Sequence, residues 1–393
     1  MRKPSSRRRF LQASGAAGLA VPSATAASRT SPNPYARLGV KTVINGVGTV
    51  TVLGGCIMPP EVVQAMSDAS RHFIHLPDLQ RKAGAHLASL IGVPAAMITD
   101  GAASAITVAT TASMTFPNAK AVQQLPDTTG LKNEVILQKS HRSGYEAQML
   151  LTGAKLIWVE SKEQLESAIS PRTAMMFFLN KADPDGQIKR GDWIKTAKQH
   201  NIVSFNDAAA DVPPVSRLKE YVQEGFDLVT FSGGKGLLGP QGSGLLLGRG
   251  DLMEVGQAAI SPNGGIGRGM KVGKEEIMGL IAAVERYLDF DHAAERRLLD
   301  RRADTILGAL RGVKGILAKI DVPEIANRVP HIMLDWKDPA QSPTPKQIHQ
   351  ALLDSDPPIH VSLTPTGLRI SVWMLRDEEP QIVARRLGQL LSA

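Results

Sequence analysis

The chain has very little cysteine and no long apolar run, and each shortage excludes a class of protein. Cys56 is the only cysteine among 393 residues, so an internal disulfide is excluded. It lies in GGCIMPP with no nearby His or Lys to lower the pKa of its thiol, which favours a small buried side chain over a nucleophile. No apolar run reaches the roughly 18 consecutive residues that a membrane-spanning helix needs, so no membrane span is expected.

Positive charge is concentrated at the N-terminus, and no basic cluster follows it. The formal net charge is +8, but Arg2, Lys3, Arg7, Arg8 and Arg9 supply five positive charges in the first 26 residues, where no acid occurs. Without them the balance is 8 − 5 = +3. With only nine Phe, four Trp and four Tyr, the chain shows no interleaving of basic and aromatic residues. Proteins that bind nucleic acids normally have both features, so no nucleic-acid partner is expected.

The N-terminal sequence SSRRRFLQASGAAGLAVPSATAAS is typical of an export signal. Residues 6–11 read SRRRFL and resemble the twin-arginine pattern S-R-R-x-F-L. A weakly hydrophobic segment follows, and then an A-x-A cleavage site at residues 24–26. The alternatives are a disordered basic leader and an ordinary secretory signal. We predict a twin-arginine signal peptide over residues 1–26, a mature chain from about Ala27 and a periplasmic location.

Strands and helices alternate over residues 96–247, which predicts an α/β fold. Stretches such as AMMFF and IVSF are apolar on both faces, as in a parallel sheet covered by helices. The alternation implies a doubly wound, mostly parallel sheet flanked by helices, with ligands at the carboxyl ends of its strands. The predicted strands are Ala96–Thr99, Glu134–Gln138, Lys155–Val159, Ala174–Leu179, Ile202–Asn206, Leu228–Phe231 and Gly244–Leu247.

Two other regions differ from this alternating pattern. Residues 28–60 are rich in Pro, Gly, Ser and Thr, including NGVGTVTVLGG, and this composition predicts a loop that covers a site. After residue 270 a long amphipathic helix precedes the strand-like stretches HIMLD and HVSLTPTGLRISVWML and a closing helix. We predict a large domain over 27–270, including an N-terminal arm, and a smaller α+β domain over 271–393.

The segment FDLVTFSGGKGLLGPQGSGLLLGR, residues 226–249, places one lysine in a glycine-rich loop between two strands. Glycine permits a ligand to approach the backbone closely, and Lys235 is the only ionisable group in the loop. A lysine that forms a Schiff base needs a free amine on a rigid strand end in a partly desolvated pocket. A solvated hairpin lysine is the alternative.

Four further groups follow directly on predicted strands and complete a pattern with Lys235. Ser232 and the small residues Gly101–Ser104 at a helix start can bind a phosphate. Asp207 can hold a pyridinium nitrogen protonated, and His141 can lie flat against an aromatic ring. An aldehyde, a phosphate and a ring nitrogen on one small molecule describe pyridoxal 5′-phosphate (PLP). The spacing 235 − 207 = 28 leaves room for one helix between two parallel strands.

Each of these residues also has a structural interpretation. Asp207 fits a helix N-cap, and His141 fits a packed or solvated histidine. The small residues after Asp100 fit a tightly packed helix as well as an anion site. Their shared position after strand ends favours the cofactor interpretation for the group. No metal site is predicted.

Several segments of the sequence resemble those of one known family. FDLVTFSGGKGLLGPQGSG resembles the PLP-lysine segment of bacterial selenocysteine synthase (seryl-tRNA selenium transferase) and its smaller relatives, which include D-glucosaminate-6-phosphate ammonia-lyase. DLQRKAGAHLASLIGVPAAMITDGAASA, VILQKSHRSGYEAQMLLTGAKLIWVE and RGMKVGKEEIMGLIAAVERYL are similar to other family segments, so the resemblance covers about residues 40–290. It implies the fold-type-I PLP architecture, a homodimer or larger assembly, and active sites shared between subunits.

The resemblance also implies roles for individual residues. Lys235 would be the Schiff-base lysine, Asp207 the partner of the pyridine nitrogen and His141 the stacking residue. Arg81 and Arg268, with Lys271, would supply cationic groups near substrate or phosphate. Arg369 in GLRIS resembles the arginine that binds the substrate carboxylate, although a strand-edge charge fits equally well. The phosphate-binding residues would be Gly101, Ala102, Ala103, Ser104 and Ser232.

Two departures from the selenium transferases favour a reaction on a small molecule. The acidic residue that often precedes their lysine is Gly234 here, and their tRNA-holding N-terminal region is replaced by the export leader. We therefore expect a PLP-dependent lyase that catalyses α,β-elimination on a small amino acid or amino sugar acid. Selenium transfer or another β-replacement, transamination and racemisation remain alternatives within enzymes. A non-catalytic protein that binds or scavenges PLP is the alternative outside them.

Overall fold

The computed structural model describes residues 33–338 and 342–392. The predicted leader over residues 1–26 therefore lies outside the described residues. The chain divides into two compact units, residues 1–42 and 43–393. The described part of the first unit carries the 3-10 helix Ala36–Leu38.

The second unit alternates strands and helices along most of its length. Its strands are β1 Ile44–Asn45, β2 Ala96–Thr99, β3 Glu134–Gln138, β4 Lys155–Val159, β5 Thr173–Leu179, β6 Val203–Asp207, β7 Leu228–Ser232, β8 Gly244–Gly248, β9 Ile316–Asp321, β10 His331–Trp336, β11 Ile359–His360, β12 Ser362–Leu363 and β13 Gly367–Ser371. Its helices are α1 Pro60–Ala69, α2 Leu76–Ile91, α3 Gly101–Thr115, α4 Ala147–Leu150, α5 Lys162–Ala168, α6 Arg190–Gln199, α7 Arg217–Glu224, α8 Gly250–Gln257, α9 Lys274–Asp289, α10 His292–Ala309, α11 Pro345–Leu353 and α12 Glu379–Ser392.

A seven-stranded sheet forms the centre, in the order β2-β8-β7-β6-β5-β3-β4. Neighbouring strands from β7 through β4 pair in parallel, and β8 runs antiparallel to both β2 and β7. The predicted doubly wound, mostly parallel sheet is confirmed. Because β5, β6 and β7 are parallel neighbours, the residues that follow them meet at one edge of the sheet.

Alternate side chains of the strands enter two separate cores, one on each face of this sheet. Met176 and Phe178 of β5 pack in one core with α2, α6, α7 and α9. Met175 and Phe177 pack in the other with α3 and α8. Both faces are therefore covered, which explains why these strands read as unbroken apolar runs.

A second sheet of four antiparallel strands, β12-β13-β10-β9, forms the C-terminal part with α10, α11 and α12. The predicted domain boundary at 270/271 falls before α9, but α9 buries Ile277 and Leu280 in a core of the large sheet. The change of packing therefore comes after α9, close to Asp291. The N-terminal strand β1 joins this part, because it pairs in parallel with β11.

No helix in residues 33–338 or 342–392 is long and apolar enough to cross a membrane.

Candidate active site

The loop between β7 and β8 carries Lys235 and packs too tightly for side chains at its glycines. A Cβ at Gly234 would lie 2.6 Å from Gln241 Cα, and one at Gly236 would lie 2.1 Å from the carbonyl oxygen of Val212. The chain therefore has no room for the acidic residue that often precedes this lysine in the selenium transferases. The close approach of Gly236 to Val212 also fixes the loop against the segment that follows Asp207.

Burial is the largest influence on the amine of Lys235, and it lowers the pKa of this group. The carboxylates of Asp207 and Asp211 act in the opposite direction, and the positive charge of Lys181 lowers the pKa further. A partly desolvated amine with a depressed pKa is more often neutral, which is the state that attacks a carbonyl carbon. Lys235 therefore has the electrostatic setting that a carbonyl-binding lysine needs.

Asp207 ends β6, the strand between β5 and β7, and its side chain is 5% exposed. Its Oδ1 accepts a hydrogen bond from the backbone N–H of Ala209 at 3.0 Å. Burial raises the pKa of this carboxyl, while Lys235 and Lys181 lower it. The side chain does not cap a helix, since it bonds within the turn after the strand. A buried carboxylate here can hold a cationic ring nitrogen.

The first turn of α3 has the features of an anion site. Gly101 has φ +75°, and Asp100 before it makes no side-chain cap, so the N–H groups of this turn receive no acceptor from Asp100. Ala102 and Ala103 add no polar side chain. The hydroxyl of Ser104 is buried and has no hydrogen-bond partner among residues 33–338 and 342–392. An orphaned hydroxyl beside an uncapped helix N-terminus fits a phosphate of PLP.

Ser232 and this helix start lie on either side of Gly244. Gly244 pairs with Ser232 on β7 and with Thr99 on β2. A Cβ at Gly244 would lie 2.4 Å from the carbonyl carbon of Gly101, so the backbones touch there. Two strand spacings are about 10 Å, so Ser232 and the turn at Gly101 approach one ligand group from opposite sides.

A cavity of about 120 Å³ lies beside Lys235, and Arg369 lines it as well. Arg369 is on β13 of the second sheet, where it pairs with Met333 and Ser362. The structure thus places the two residues that sequence assigned to cofactor and substrate on one cavity. The other lining residues are Val47, Gly48, Thr49, Val50, Asn327, His331, Ser371 and Trp373.

The loop predicted to cover a site forms one wall of this cavity. Asn45 braces it, since Oδ1 accepts from the N–H groups of Val47 and Gly48 at 3.0 Å each, and Nδ2 donates to the carbonyl of Gly48 at 2.9 Å. The N–H of Ser371 donates to the carbonyl of Gly46 at 2.7 Å. The loop is therefore fixed to the second sheet.

Three predicted cationic groups do not reach the cavity within one chain. Arg81 is exposed and pairs with Asp78 at 3.3 Å, in a separate groove along α2. Arg268 and Lys271 are also exposed. The backbone N–H of Lys271 bonds the carboxylate of Asp100, next to the anion site. Burial raises the pKa of that carboxyl, and this bond lowers it.

His141 is enclosed in the protein, and this placement does not support the stacking role. Its side chain is 0% exposed, and Nδ1 accepts from the N–H of Leu179 at 3.1 Å. Its ring meets the Phe178 ring edge-on, with centroids 4.6 Å apart at 82°. A Cβ at Gly186 would lie 2.9 Å from Nε2. In this placement the imidazole has no exposed face on which a ring could stack, which favours the packed histidine, the alternative that the sequence left open.

We predict that His141 makes the fold less stable in acid. Burial lowers its pKa from 6.5 to about 4, so between these values the unfolded chain binds a proton that the folded chain does not. The free energy of unfolding should therefore fall as the pH drops through this window, by about 3 kcal/mol at most. Urea unfolding at several pH values measures this slope.

His141→Asn keeps an acceptor for Leu179 and should remove the slope, whereas His200→Gln, at an exposed histidine, should retain it. His141→Asn should also leave the absorption maximum of bound PLP in place. A shifted maximum, or a titration of His141 near pH 6.5, would restore the stacking role.

Several polar residues around Lys235 were not predicted from the sequence. Lys181 and Asn180 follow β5 at the same sheet edge as Asp207, so the strand-end rule that located Asp207 applies to them too. Asp211 is 3% exposed and accepts from Tyr221 Oη at 2.8 Å and from Asn180 Nδ2. Burial raises the pKa of Asp211 to about 6. The sequence feature that could have indicated Asp211 is its position four residues after Asp207.

His331 was also missed. It begins β10 in an antiparallel sheet, where no rule connects a strand start with a ligand, and only the packing of the two sheets brings it to Lys235.

Comparisons with known proteins agree with the fold described above. The model of the family described as Aminotransferase class-V matches residues 60–266. D-glucosaminate-6-phosphate ammonia lyase of Salmonella typhimurium is 30% identical over 76% of this chain and 81% of its own length. 5′-C-glycyluridine monooxygenase-decarboxylase of Streptomyces sp is 29% identical over 91% and 92%. L-seryl-tRNA(Sec) selenium transferase of Solidesulfovibrio magneticus is 26% identical over 89% and 82%.

A solved structure of D-glucosaminate-6-phosphate ammonia-lyase shares the fold. It superimposes with a TM-score of 0.78 at 26% identity, and the match covers 92% of this chain and 99% of that one. The likeness therefore includes both sheets.

Proposed function

Because the chain belongs to the Aminotransferase class-V family and is a PLP-dependent enzyme, we propose that it is a lyase acting on a small amino acid or amino sugar acid. The proposed reaction is α,β-elimination with release of ammonia and a keto acid. One observation carries this proposal: the partly desolvated amine of Lys235 and the guanidinium of Arg369 line the same cavity. A small amino acid has an amino-bearing carbon and a carboxylate that suit these two groups.

When bound, PLP supplies an aldehyde carbon and an electron-accepting ring. The residues around it have separate tasks. Lys235 would hold the aldehyde carbon through Nζ, and the same amine would take the proton from the amino-bearing carbon of the substrate. Asp207 would hold a proton on the ring nitrogen, because its carboxylate is buried at the end of the central strand. Arg369 binds the substrate carboxylate with its planar pair of donors.

The phosphate of PLP is assigned to the first turn of α3 and to Ser232. The N–H groups of Gly101–Ser104 and the unpartnered hydroxyl of Ser104 supply donors on one side. Ser232 supplies a hydroxyl on the other. The positive end of the helix dipole adds to the attraction.

The names of the three relatives suggest the substrate class. Glucosaminate, glycyluridine and the seryl group are chemically alike, since each has a hydroxyl on the carbon next to its amino-bearing carbon. Loss of that hydroxyl as water, followed by hydrolysis, releases ammonia and a keto acid. We propose β-hydroxy-α-amino acids as the substrates of this chain.

A screen of product release tests the proposed function. The PLP-loaded protein is incubated with β-hydroxy amino acids and amino sugar acids, including D-glucosaminate and its 6-phosphate, while ammonia and keto acid are measured. Equal amounts of both products are expected. Consumption of oxygen with release of carbon dioxide would instead indicate chemistry like that in the name of the Streptomyces relative. Selenium transfer to seryl-tRNA without keto acid would indicate β-replacement.

We also propose that the enzyme is a homodimer or larger. Large apolar side chains are exposed near the N-terminal side of the second unit, including Val52, Ile57 and Phe73, the last of them fully exposed. A second copy of the chain would cover such residues. Light scattering on the purified protein should give at least twice the mass of one chain, and Phe73→Asp should lower it. A monomer at micromolar concentration would contradict this assembly.

Export by the twin-arginine route to the periplasm is a further part of the proposal. It is supported by SRRRFL and by the A-x-A site, both in the leader. Replacing Arg7 and Arg8 with Lys should leave unprocessed protein in the cytoplasm, because the export receptor reads the arginine pair. Cell fractionation with an immunoblot measures the distribution. Continued export of the Lys variant would show that another route is used.

A further inference from the structure

His331 lines the cavity beside Lys235 and has a buried hydrogen-bond acceptor that no described residue satisfies. It is 3% exposed, and its Nε2 lies 3.3 Å from the carbonyl oxygen of Asn327. A carbonyl oxygen only accepts, so Nε2 carries the ring proton and Nδ1 carries the lone pair. Nδ1 is buried, and no donor among the described residues reaches it.

The surroundings of His331 keep the imidazole neutral. Burial is the largest influence and lowers its pKa, and the positive charge of Arg369 lowers it further. The bond to Asn327 and the carboxylate of Asp321 act in the opposite direction. Ser371 lies opposite His331 on β13, and Asp321 lies opposite it on β9. Near neutral pH, Nδ1 is therefore an acceptor.

A buried acceptor without a donor costs free energy, and next to a cavity a ligand group can supply the missing donor. The ligand group must donate a hydrogen bond. A carboxylate cannot do so, and Arg369 on the same cavity is suited to that group. The amino group of the substrate is already assigned to the position beside Lys235. A hydroxyl of the substrate remains as the matching donor.

We propose that His331 is a specificity-determining residue that accepts a hydrogen bond from a substrate hydroxyl through Nδ1. This inference rests on the proposed function, since it assumes that an amino acid occupies the cavity. It selects hydroxylated amino acids over those that lack the hydroxyl, because only the former satisfy Nδ1. His331 acts as a positioning residue, and the proton transfer at the amino-bearing carbon stays with Lys235.

Binding measurements on the PLP-loaded enzyme test this role when they are made by rapid mixing, so that the spectrum is recorded before elimination. Kd is obtained from the change in the PLP absorption spectrum on addition of serine or alanine, and of threonine or 2-aminobutyrate, each as both enantiomers. The hydroxylated member of a pair is expected to bind about tenfold more tightly, because its partner leaves Nδ1 unsatisfied.

Two substitutions separate the two nitrogens of the ring. His331→Gln places an amide nitrogen near Nε2, so it keeps the bond to Asn327 and loses the acceptor at Nδ1. His331→Asn places its oxygen near Nδ1, so it keeps that acceptor and loses the bond to Asn327. The preference for the hydroxylated ligand should disappear in His331→Gln and persist in His331→Asn. Arg369→Gln should weaken the binding of both ligands of a pair by the same factor.

Each other outcome has a definite meaning. Equal binding of both members by the unmodified enzyme would overturn the role of His331 and leave the proposed function intact. A preference retained in His331→Gln but lost in His331→Asn would show that His331 acts only through Asn327. If PLP binds but neither these amino acids nor D-glucosaminate nor its 6-phosphate changes its spectrum, the proposed function itself fails, and this inference fails with it.

Discussion

Replacing Lys235 with alanine is expected to remove the covalent attachment of PLP and to lower turnover by roughly a thousandfold, since the same amine also removes the substrate proton. Borohydride reduction followed by peptide mapping locates the attachment. In the unmodified enzyme the pyridoxyl group should lie on Lys235. The substitution should leave the fold intact, because the loop is held by its glycine contacts with Gln241 and Val212.

Lys181 provides the matched control for this experiment. It is a second lysine close enough to affect the pKa of Lys235, but it is exposed. Lys181→Ala should retain the label on Lys235. If the label is found on Lys181, or on any lysine other than Lys235, the assignment of the active site is wrong.

Asp207→Asn is expected to slow removal of the substrate α-proton by about a hundredfold or more, because a neutral amide does not stabilise a protonated ring nitrogen. The asparagine oxygen can still accept the hydrogen bond from Ala209, so PLP binding and the fold should survive. Exchange of the α-proton with deuterium from D₂O, followed by NMR, measures this step directly.

The neighbouring carboxylate shows whether any loss of negative charge has the same effect. Asp211 also raises the pKa of Lys235, but its carboxylate is bonded to Tyr221 and Asn180. Asp211→Asn should therefore slow exchange much less than Asp207→Asn. Equal effects would show that Asp207 acts only through the charge near Lys235, and unchanged exchange in Asp207→Asn would show that it is structural.

The large sheet could be predicted from sequence because strands that are buried on both faces appear as unbroken apolar runs. The strands at 96–99, 134–138 and 155–159 occur as predicted, and the other four differ by one residue at one or both ends. The strand β9 was not predicted, since only Ile316 and Ala318 of ILAKID are partly buried and its apolar run is short. The site followed the same logic, because parallel strands bring Asp207 and Ser232 to one edge whatever the loops do.

The rest of the site depends on side-chain directions and on the packing of the two sheets, and strand order determines neither. His141 lies just after a strand and Asp207 at the end of one, but the 3-10 turn Lys139–His141 places Nδ1 of His141 on the N–H of Leu179, and His141 does not line the cavity. His331 reaches Lys235 only because the second sheet packs against the first, where the N–H of Asn327 donates to the carbonyl of Ala210 at 2.8 Å. Such long-range contacts leave no local pattern.

The pairing of β1 with β11 has a consequence for how substrate preference can diverge among relatives. It attaches the covering loop to the C-terminal part of the chain, whose four-stranded sheet carries Arg369 and His331. Asp207 and the loop with Lys235 belong instead to the large sheet. In the proposed function, the groups that recognise the substrate and the groups that perform the proton chemistry therefore belong to separate parts of the fold. Substitutions in the part that carries Arg369 and His331 can change which amino acid is bound, while the part that carries Lys235 and Asp207 stays unchanged. A new substrate then does not require a new mechanism.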